Sequence, residues 1–231
     1  AINAGDLALT RVFEVVLNDG ALPVDRRVRV LEELVRMERH TLEGQALDLG
    51  WARDGRWDVT SDDYLYMIEG KTAWYTVASP LFIGAVAAGA NDEAATSLVD
   101  VGRPAGLAFQ LQDDLLNLVG NADAQGKDFR SDITEGKRTL AVVWALEHLD
   151  DEPHRELVDL LESKTTNPDE LARAVELIEQ GGGIEACRDL ALKLTRDAQG
   201  KARALATSGT ITPESAELLC SMADFFINRS A

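Results

Sequence analysis

The sequence has few cysteines, histidines and basic residues. Its 231 residues include two cysteines, three histidines, and 23 lysines and arginines against 40 acidic residues, for a net charge of −17. Cys187 and Cys220 lie far apart without a CxxC pattern, so neither a disulfide framework nor a zinc site is indicated, and a reducing cytoplasm is expected. The excess of acid argues against nucleic-acid binding, which calls for a basic face. An anionic ligand would need local basic groups or metal.

The sequence also lacks a convincing strand pattern and a long apolar run. Residues 72–90 carry no charge, but Pro80 and many small side chains favour a buried core helix over a membrane span. No signal peptide is visible. Almost every segment has the helical period, and none alternates convincingly as a strand. The sequence therefore predicts one all-α domain over residues 1–231.

Local signals predict where several helices begin. Residues 60–63 have the pattern of a capping box. Other start signals are Pro23 with Asp25, Asn167 with Pro168, and Thr212 with Pro213. The aspartate doublets at 62–63 and 150–151 lie in polar surroundings and are interpreted as helix starts or loops. Residues 91–101 are predicted to be a connection and a short helix that precede a central stretch from Arg103.

The central stretch, residues 103–140, begins as an apolar helix with one polar face. At 100° per residue its polar side chains lie within about 100° of one another; they are Gln110, Asp113, Asp114 and Asn117. Charge on a largely buried helix is costly unless it is paired or bound to metal. Because this aspartate doublet lies inside an apolar run, unlike the other two, it is predicted to be functional.

The segment that follows, residues 126–138, is nearly neutral within a strongly acidic chain. Its charged residues are Lys127, Asp128, Arg130, Asp132, Glu135, Lys137 and Arg138. Helix carboxylates that face lysines of this segment could hold a divalent cation and a diphosphate between them. Oxygen ligands and bound phosphates are what magnesium prefers.

Two upstream positions allow either an ordinary or a functional interpretation. Gln45 and Asp48 share one helical face, which by spacing alone is most simply a solvated face. Lys71 lies on an otherwise apolar stripe with Tyr64, Met67, Ile68 and Tyr75. A lysine in that position either extends to solvent or meets an anion.

Taken together, these residues resemble the trans-type isoprenyl diphosphate synthases, or polyprenyl synthetases. The second aspartate-rich motif of that family is similar to FQ at 109–110 followed by DD at 113–114, then GK at 126–127 and EGK at 135–137. GQALDL at 44–49 and GKT at 70–72 match two further family signatures in the right order. The resemblance is specific from Ala1 to about Ala145 and looser towards the C-terminus.

The resemblance implies an isoprenoid-synthase helical bundle around a central cavity, with Mg²⁺ as cofactor. It implies head-to-tail condensation of an allylic diphosphate with isopentenyl diphosphate by a homodimer. The implied metal residues are Asp113 as a direct ligand, Asp114 and Asn117 on metal or its waters, and Asp48 near the cluster. The implied diphosphate ligands are Lys71, Lys127 and Lys137. Gln110 and Thr72 would present dipoles to the allylic cation, and Gln45 would line the cavity. Asn117 departs from the commoner third aspartate, which removes a charge.

A second departure concerns the front of the family's sequence. The first aspartate-rich motif and the basic residues for isopentenyl diphosphate precede the segment that resembles Ala1, and nothing here replaces them. The domain is therefore expected to be N-terminally incomplete and to turn over poorly alone. Two rival functions are a class I terpene cyclase, whose acidic-Ser-Glu metal motif is absent from the sequence, and a non-catalytic partner subunit of a complete synthase.

Overall fold

The computed structural model describes residues 2–120 and 129–229, and within these ranges it contains helices and no strands. The first half comprises α1 (Ile2–Asn18), α2 (Val24–Arg53), α3 (Ser61–Ile68), a π-helical segment (Glu69–Ala78), α4 (Ser79–Ala88) and α5 (Asp92–Val119). The second half comprises α6 (Ser131–Glu135), α7 (Leu140–His148), α8 (Asp151–Glu162), α9 (Pro168–Gln180), α10 (Gly183–Thr207) and α11 (Pro213–Asn228). The all-α prediction is confirmed.

Side-chain caps begin several helices where the sequence predicts them. At α3 the Thr60 hydroxyl accepts the backbone N–H of Asp63 at 3.2 Å, and the Asp63 carboxylate accepts the N–H of Thr60 at 3.0 Å. This reciprocal pair satisfies two amides that the first helical turn would otherwise leave without partners. Asn167 and Thr212 cap α9 and α11, each ahead of a proline. The predicted start signals are confirmed.

The largest core cluster surrounds the second half of α5. Its most deeply buried large side chains are Ile68, Leu111, Ile133, Leu140, Leu157, Leu161, Leu177 and Ile178. They come from six helices, α3 and α5–α9. Helix α5 also packs extensively against the π-helical segment and α10. Burial of such aliphatic side chains supplies about 1.5–3 kcal/mol each towards folding. Charged side chains on a helix covered in this way must face a cavity or a hydrogen-bonding or oppositely charged group.

Helix α5 is longer than the sequence predicts. The expected connection and short helix before Arg103 are wrong, because one helix runs from Asp92 to Val119 with Pro104 inside it. Proline has no N–H, so the carbonyl of Asp100 loses its usual helical donor. Neighbours on both sides, including Val99 and Ala105, are buried against other helices. Tertiary packing therefore maintains a helix that local sequence would interrupt.

Two glycines let α5 approach the π-helical segment closely. A Cβ on Gly102 would lie 2.6 Å from the Cα of Ala78, and a Cβ on Gly106 would lie 2.7 Å from the Cα of Ala73. The glycines are four residues apart, whereas their partners are five apart. That difference matches the wider i→i+5 repeat of a π-helix. The two backbones therefore stay in register over about one turn at a distance that a side chain would prevent.

Residues 72–90 form part of the core, as predicted. Buried residues in this range are Thr72, Ala73, Val77, Ala78, Ser79, Phe82 and Val86. The range is divided between the π-helical segment and α4, which has Pro80 in its first turn. Among the helices of the described ranges, none has both the length and the apolar character to cross a membrane.

Helix α1 contrasts with the rest because none of its residues is buried. Phe13 and Val16 pack partly against the smaller core between α2 and α4. Large apolar side chains elsewhere on α1 are exposed: Ile2, Leu7, Leu9, Val12, Val15 and Leu17. A 17-residue helix gains most of its stability from tertiary packing. This apolar surface therefore favours contact with further protein.

Candidate active site

A cavity of about 250 Å³ opens between α2, the π-helical segment, α5 and the loop after α6. Predicted site residues that line it are Asp48, Lys71, Thr72, Gln110, Asp113, Asp114, Asn117 and Lys137. Gln45 lies one turn before Asp48 on α2, half-buried and outside this lining. Lys127 lies outside the described residues. Segments separated by up to about ninety residues of sequence thus meet at one site.

The change from α3 to the π-helical segment places Lys71 and Thr72 at the cavity together. Both line it, along with Ile68 and Tyr75. The regular α-helical stripe predicted from sequence includes Lys71 but leaves Thr72 on a neighbouring face. Wider π turns shift successive side chains around the axis, and such turns are frequent at functional sites. Gly70 allows the turn to pass close to α2, since a Cβ there would lie 2.9 Å from the carbonyl oxygen of His40.

A chain of hydrogen bonds runs along the α5 face of the cavity. The Thr72 hydroxyl donates to Gln110 Oε1 at 3.0 Å, and Gln110 Nε2 donates to Asp114 Oδ1 at 2.8 Å. The Tyr64 hydroxyl donates to the other oxygen of Asp114. The chain fixes the Gln110 amide and both oxygens of Asp114. Its members therefore present a defined set of dipoles to whatever occupies the cavity.

Asp114 is the buried acid of the site. Burial and the negative charge of Asp132 raise its pKa to about 7, although the hydrogen bonds from Tyr64 and Gln110 oppose the rise. The same burial, together with the charge of Asp114, raises the pKa of Tyr64 well above 10, so the phenol remains a neutral donor. The donors to Asp114 are neutral groups. A cation placed here would therefore stabilise its carboxylate.

Asp113, the adjacent acid, lies in a more open position. Its side chain is 57 % exposed, and its Oδ1 accepts a hydrogen bond of 2.8 Å from Arg229 Nη2. Arg229 follows the last residue of α11 and lies 116 positions away in sequence. The two consecutive aspartates thus have different surroundings. Asp114 is buried among neutral hydrogen-bond donors, whereas Asp113 is exposed to solvent and paired with a guanidinium.

Both described lysines of the site have acidic partners. Lys71 Nζ donates to Asp48 Oδ2 at 2.5 Å. Lys137 Nζ donates to Asp132 Oδ1 at 2.6 Å and lies 3.2 Å from Glu135 Oε2. Desolvation lowers the pKa of Lys137, but the hydrogen bonds and charges of Asp132 and Glu135 outweigh it and raise that pKa. Both lysines are therefore held in place within the cavity lining by carboxylates.

Asn117 connects α5 to the start of α6. Its Nδ2 donates to the Ser131 hydroxyl at 3.0 Å, and its Oδ1 accepts the backbone N–H of Asp132 at 3.1 Å. Its backbone carbonyl also accepts the N–H of Arg130 at 2.9 Å. Asn117 therefore positions Asp132 as well as lining the cavity.

Arg138 braces the loop that carries Lys137. Its guanidinium lies 3.8 Å over the Trp57 ring and donates to the carbonyls of Arg56 at 2.8 Å and Gly136 at 2.7 Å. Burial lowers the pKa of Arg138 below its usual value. The guanidinium nevertheless stays charged, because arginine side chains are not deprotonated in proteins. The clamp joins the loop after α2 to the loop after α6.

The donor set suits a hard divalent cation. Asp48, Asp113, Asp114 and Asp132 supply carboxylate oxygens to one cavity, and Mg²⁺ is typically held by one or two carboxylates with water and phosphate oxygens. Within residues 2–120 and 129–229, no three acids, histidines or cysteines are already gathered at ligand spacing. The raised pKa of Asp114 nevertheless marks a carboxylate that lacks positive charge. The residues present therefore fit Mg²⁺.

Sequence reasoning missed four cavity residues or supports: Tyr64, Asp132, Arg138 and Arg229. Tyr64 lies on the predicted apolar stripe, although a buried tyrosine hydroxyl usually needs a partner. In the sequence Asp132 only contributes to the charge balance of residues 126–138, yet it lies five residues before Lys137, its partner. Arg229 carries no local signal, because only the folded chain brings it to Asp113.

The sequence pattern that describes the polyprenyl synthetase family matches residues 1–178. The chain belongs to the polyprenyl synthetase family. It is 36% identical over 230 residues to the geranylfarnesyl diphosphate synthase of Natronomonas pharaonis, covering 100% of this chain and 63% of that protein. It is 41% identical over 186 residues to the (2E,6E)-farnesyl diphosphate synthase of Mycobacterium tuberculosis, covering 79% of this chain and 50% of that protein.

Solved structures of this family share the fold. A geranylgeranyl pyrophosphate synthase from Corynebacterium glutamicum, complexed with isoprenyl diphosphate and magnesium, superposes with a TM-score of 0.87 at 27% identity, over 99% of this chain and 62% of that one. A polyprenyl synthase from Caulobacter crescentus, complexed with calcium and isoprenyl diphosphate, gives 0.83 at 31%, over 98% and 65%. The chain thus spans between half and two thirds of the length of these four polyprenyl synthetases.

Proposed function

We propose that this protein is a Mg²⁺-dependent prenyltransferase that condenses an allylic diphosphate with isopentenyl diphosphate into a longer trans-polyprenyl diphosphate. The observation that carries the proposal is the cavity itself, which brings the acidic face of α5 opposite Lys71 and Lys137. Relatives named as isoprenyl diphosphate synthases support the choice of reaction. Neighbouring structures complexed with isoprenyl diphosphate and a divalent cation support the choice of ligands.

Asp113 and Asp114 are the residues we propose for the cation. Asp114 has the stronger case, because burial has raised its pKa and a cation would stabilise its charged form. Asp48 and Asn117 would add oxygens directly or through water; the amide oxygen of Asn117 already accepts one hydrogen bond. When bound, Mg²⁺ supplies positive charge that stabilises the departing diphosphate.

Lys71 and Lys137 are proposed to bind the diphosphate, with Lys127 as a third ligand. Each ammonium group has three N–H donors. The bonds from Lys71 to Asp48 and from Lys137 to Asp132 therefore leave donors for phosphate oxygens. The carboxylates hold the lysines in place before substrate arrives, so less side-chain entropy is lost on binding. As charge develops on the leaving group, these ammonium groups stabilise it.

Thr72 and Gln110 are proposed to face the allylic cation. Their mutual hydrogen bond orients the hydroxyl oxygen and the amide oxygen as negative ends of dipoles. Met67 and Ile68 contribute apolar surface to the same cavity, which would keep water from a reactive carbocation. Gln45 on α2 is proposed as a further substrate contact.

The decisive experiment is an isopentenyl diphosphate incorporation assay. This chain and the full product of its gene would each be incubated with geranyl or farnesyl diphosphate, labelled isopentenyl diphosphate and Mg²⁺. We expect a longer prenyl diphosphate to form, and excess chelator to abolish it. The intact mass of the protein from its native source, compared with 25.1 kDa, would show which of the two chains the cell uses.

Other outcomes of this assay would select the rival functions. Loss of diphosphate from the allylic substrate without incorporation of isopentenyl label would indicate a terpene cyclase. No reaction of either substrate, together with co-purification of this protein with a complete synthase, would indicate a partner subunit. In that case Asp113→Ala would leave the rate of the complex unchanged.

We also propose that the protein forms a homodimer. The exposed apolar side chains of α1 support an association surface there. Light scattering after size exclusion should give twice the mass of the chain. Leu7→Glu with Val15→Glu should shift it to the monomer, whereas a wild-type protein that is monomeric at all concentrations would contradict the proposal.

A further inference from the structure

The end of α11 meets the aspartate pair through Arg229. Its Nη2 donates to Asp113 Oδ1 at 2.8 Å and to the backbone carbonyl of Phe109 at 3.3 Å. The guanidinium carbon lies 4.2 Å from the centre of the Phe109 ring. One arginine thus contacts a carboxylate, a carbonyl and an aromatic face of the same helix, α5.

Contacts other than the one with Asp113 hold the Arg229 guanidinium in place. Phe109 packs edge-on against Phe226, with ring centres 5.3 Å apart at 79°, so α11 and α5 are joined at this point. The Arg229 side chain is 21 % exposed, less than half the exposure of Asp113 at 57 %. A planar guanidinium stacked on a ring loses little additional freedom when it forms a hydrogen bond. Arg229 is therefore the fixed member of the pair.

Asp113 needs such a support more than its neighbour does. Asp114 is buried and is hydrogen bonded at both oxygens by Tyr64 and Gln110. Asp113 is largely exposed, and an ion pair between two exposed, mobile side chains orders them only weakly. Here the partner is already fixed over the Phe109 ring, so the pair can orient the Asp113 carboxylate. A carboxylate has two oxygens, so one can stay with Arg229 while the other binds a cation.

We infer that Arg229 is a positioning residue for Asp113, orienting this carboxylate toward the bound cation. The inference rests on the proposed function, because it assigns Asp113 to the cation. Orientation favours binding, whereas the positive charge of Arg229 opposes it. Since the guanidinium is stacked and partly desolvated against Phe109, we expect orientation to dominate.

The test measures binding by calorimetry, with Mn²⁺ alone and with inorganic pyrophosphate in excess Mg²⁺. Arg229→Gln should weaken binding of both probes by about 10-fold, the size expected for loss of one charge-assisted hydrogen bond. Arg229→Lys keeps the positive charge but loses the planar guanidinium and its contact with the Phe109 ring. This variant should bind both probes a few-fold more weakly than wild type. Asp224→Asn on the same helix, whose carboxylate accepts from Gln199 at 2.8 Å, is the matched control and should bind like wild type.

A double-mutant cycle distinguishes positioning from a general structural effect. If Arg229 acts through Asp113, Arg229→Gln should have no further effect on binding in an Asp113→Asn background. Thermal melts should show that all variants are folded. If Arg229→Gln is unfolded, Arg229→Lys takes its place in the cycle. Equal or tighter binding by the Arg229 variants, or additive losses in the cycle, would overturn the inference. If neither wild type nor Asp224→Asn binds either probe, the proposed function fails with it.

Discussion

The two sides of the cavity carry charge in different ways. On the lysine side, Lys71 and Lys137 each donate to a carboxylate within 2.6 Å. On the α5 side, the donors to Asp114 are a phenol and an amide, and the pKa of Asp114 is raised to about 7. The lysine side is therefore neutralised from within. The α5 side is stabilised by added positive charge, which makes it the side for a cation.

This difference couples the two proposed ligands. A cation on the α5 side lowers the negative charge that Asp113 and Asp114 present to an incoming diphosphate. A diphosphate in turn supplies oxygen ligands that Mg²⁺ prefers to retain. In a chain of net charge −17, neither ligand is favoured by the overall field, so each is expected to bind better in the presence of the other.

Removing the charge of Asp114 should have the largest effect on activity. Asp114→Asn is expected to lower kcat by about 10²–10³-fold, the usual loss when one electrostatic contact to the transition state is removed. The free energy of unfolding without metal should change little: the amide costs less to bury than a carboxylate, but it can accept from only one of the two donors, Tyr64 and Gln110. Assays at saturating Mg²⁺ test the predicted change in kcat, and urea unfolding in EDTA tests the predicted free energy of unfolding. The control is Asp62→Asn, in the exposed doublet that begins α3; equal turnover of both variants would refute the assignment.

Removing a cation from the lysine side should have a smaller effect. Lys137→Gln is expected to lower kcat/KM by about 10- to 100-fold, the size of one or two hydrogen bonds to a charged group. It also leaves Asp132, whose pKa burial has already raised, without its ammonium partner. Lys201→Gln removes a half-buried lysine, paired with Asp197 on α10 outside the cavity, and serves as the control. Wild-type kinetics for Lys137→Gln would remove Lys137 from the diphosphate site.

Forcing the backbones of α5 and the π-helical segment apart should reduce the free energy of unfolding. Gly106→Ala would place a Cβ 2.7 Å from the Cα of Ala73 in the π-helical segment, next to Thr72. Such overpacking typically costs about 1–3 kcal/mol of unfolding free energy. Gly84→Ala, in α4 with open space around it, should instead be neutral or stabilising by up to about 1 kcal/mol. Chemical denaturation of both variants gives the comparison, and equal stabilities would contradict the observed close packing.

The pH dependence of stability provides the finest test. The pKa of Asp114 is raised from 3.8 to about 7, so between these values the folded state binds a proton that the unfolded state has released. Stability from this group is therefore present at low pH and is lost as pH rises towards 7, by at most about 1.4 kcal/mol per pH unit. Urea unfolding in EDTA should show this slope in wild type relative to Asp114→Asn, levelling off above pH 7. Parallel profiles would mean that the carboxyl is not desolvated.

Local patterns were sufficient to predict the fold class and several helix starts. The capping box at Thr60 and the starts of α9 and α11, where a cap residue precedes a proline, depend on contacts within four residues, which sequence spacing determines. The polar face of α5 could also be predicted, because helical period alone brings Gln110, Asp113 and Asp114 together. Pro104 shows where local rules fail: burial of α5 on both sides of it outweighs the missing hydrogen bond.

By itself, the sequence determined that this chain is helical, that an acidic stripe lies in an apolar helix, and that basic residues follow it. Tertiary structure alone decided which aspartate is dry, through Tyr64 from α3, and which is paired, through Arg229 from the end of α11. It also decided that the segment after α3 is π-helical, so that Lys71 and Thr72 both reach the cavity. The physical reason is range: helical period and caps act within one or two turns, whereas desolvation and ion pairing depend on residues that only packing of the whole bundle brings together.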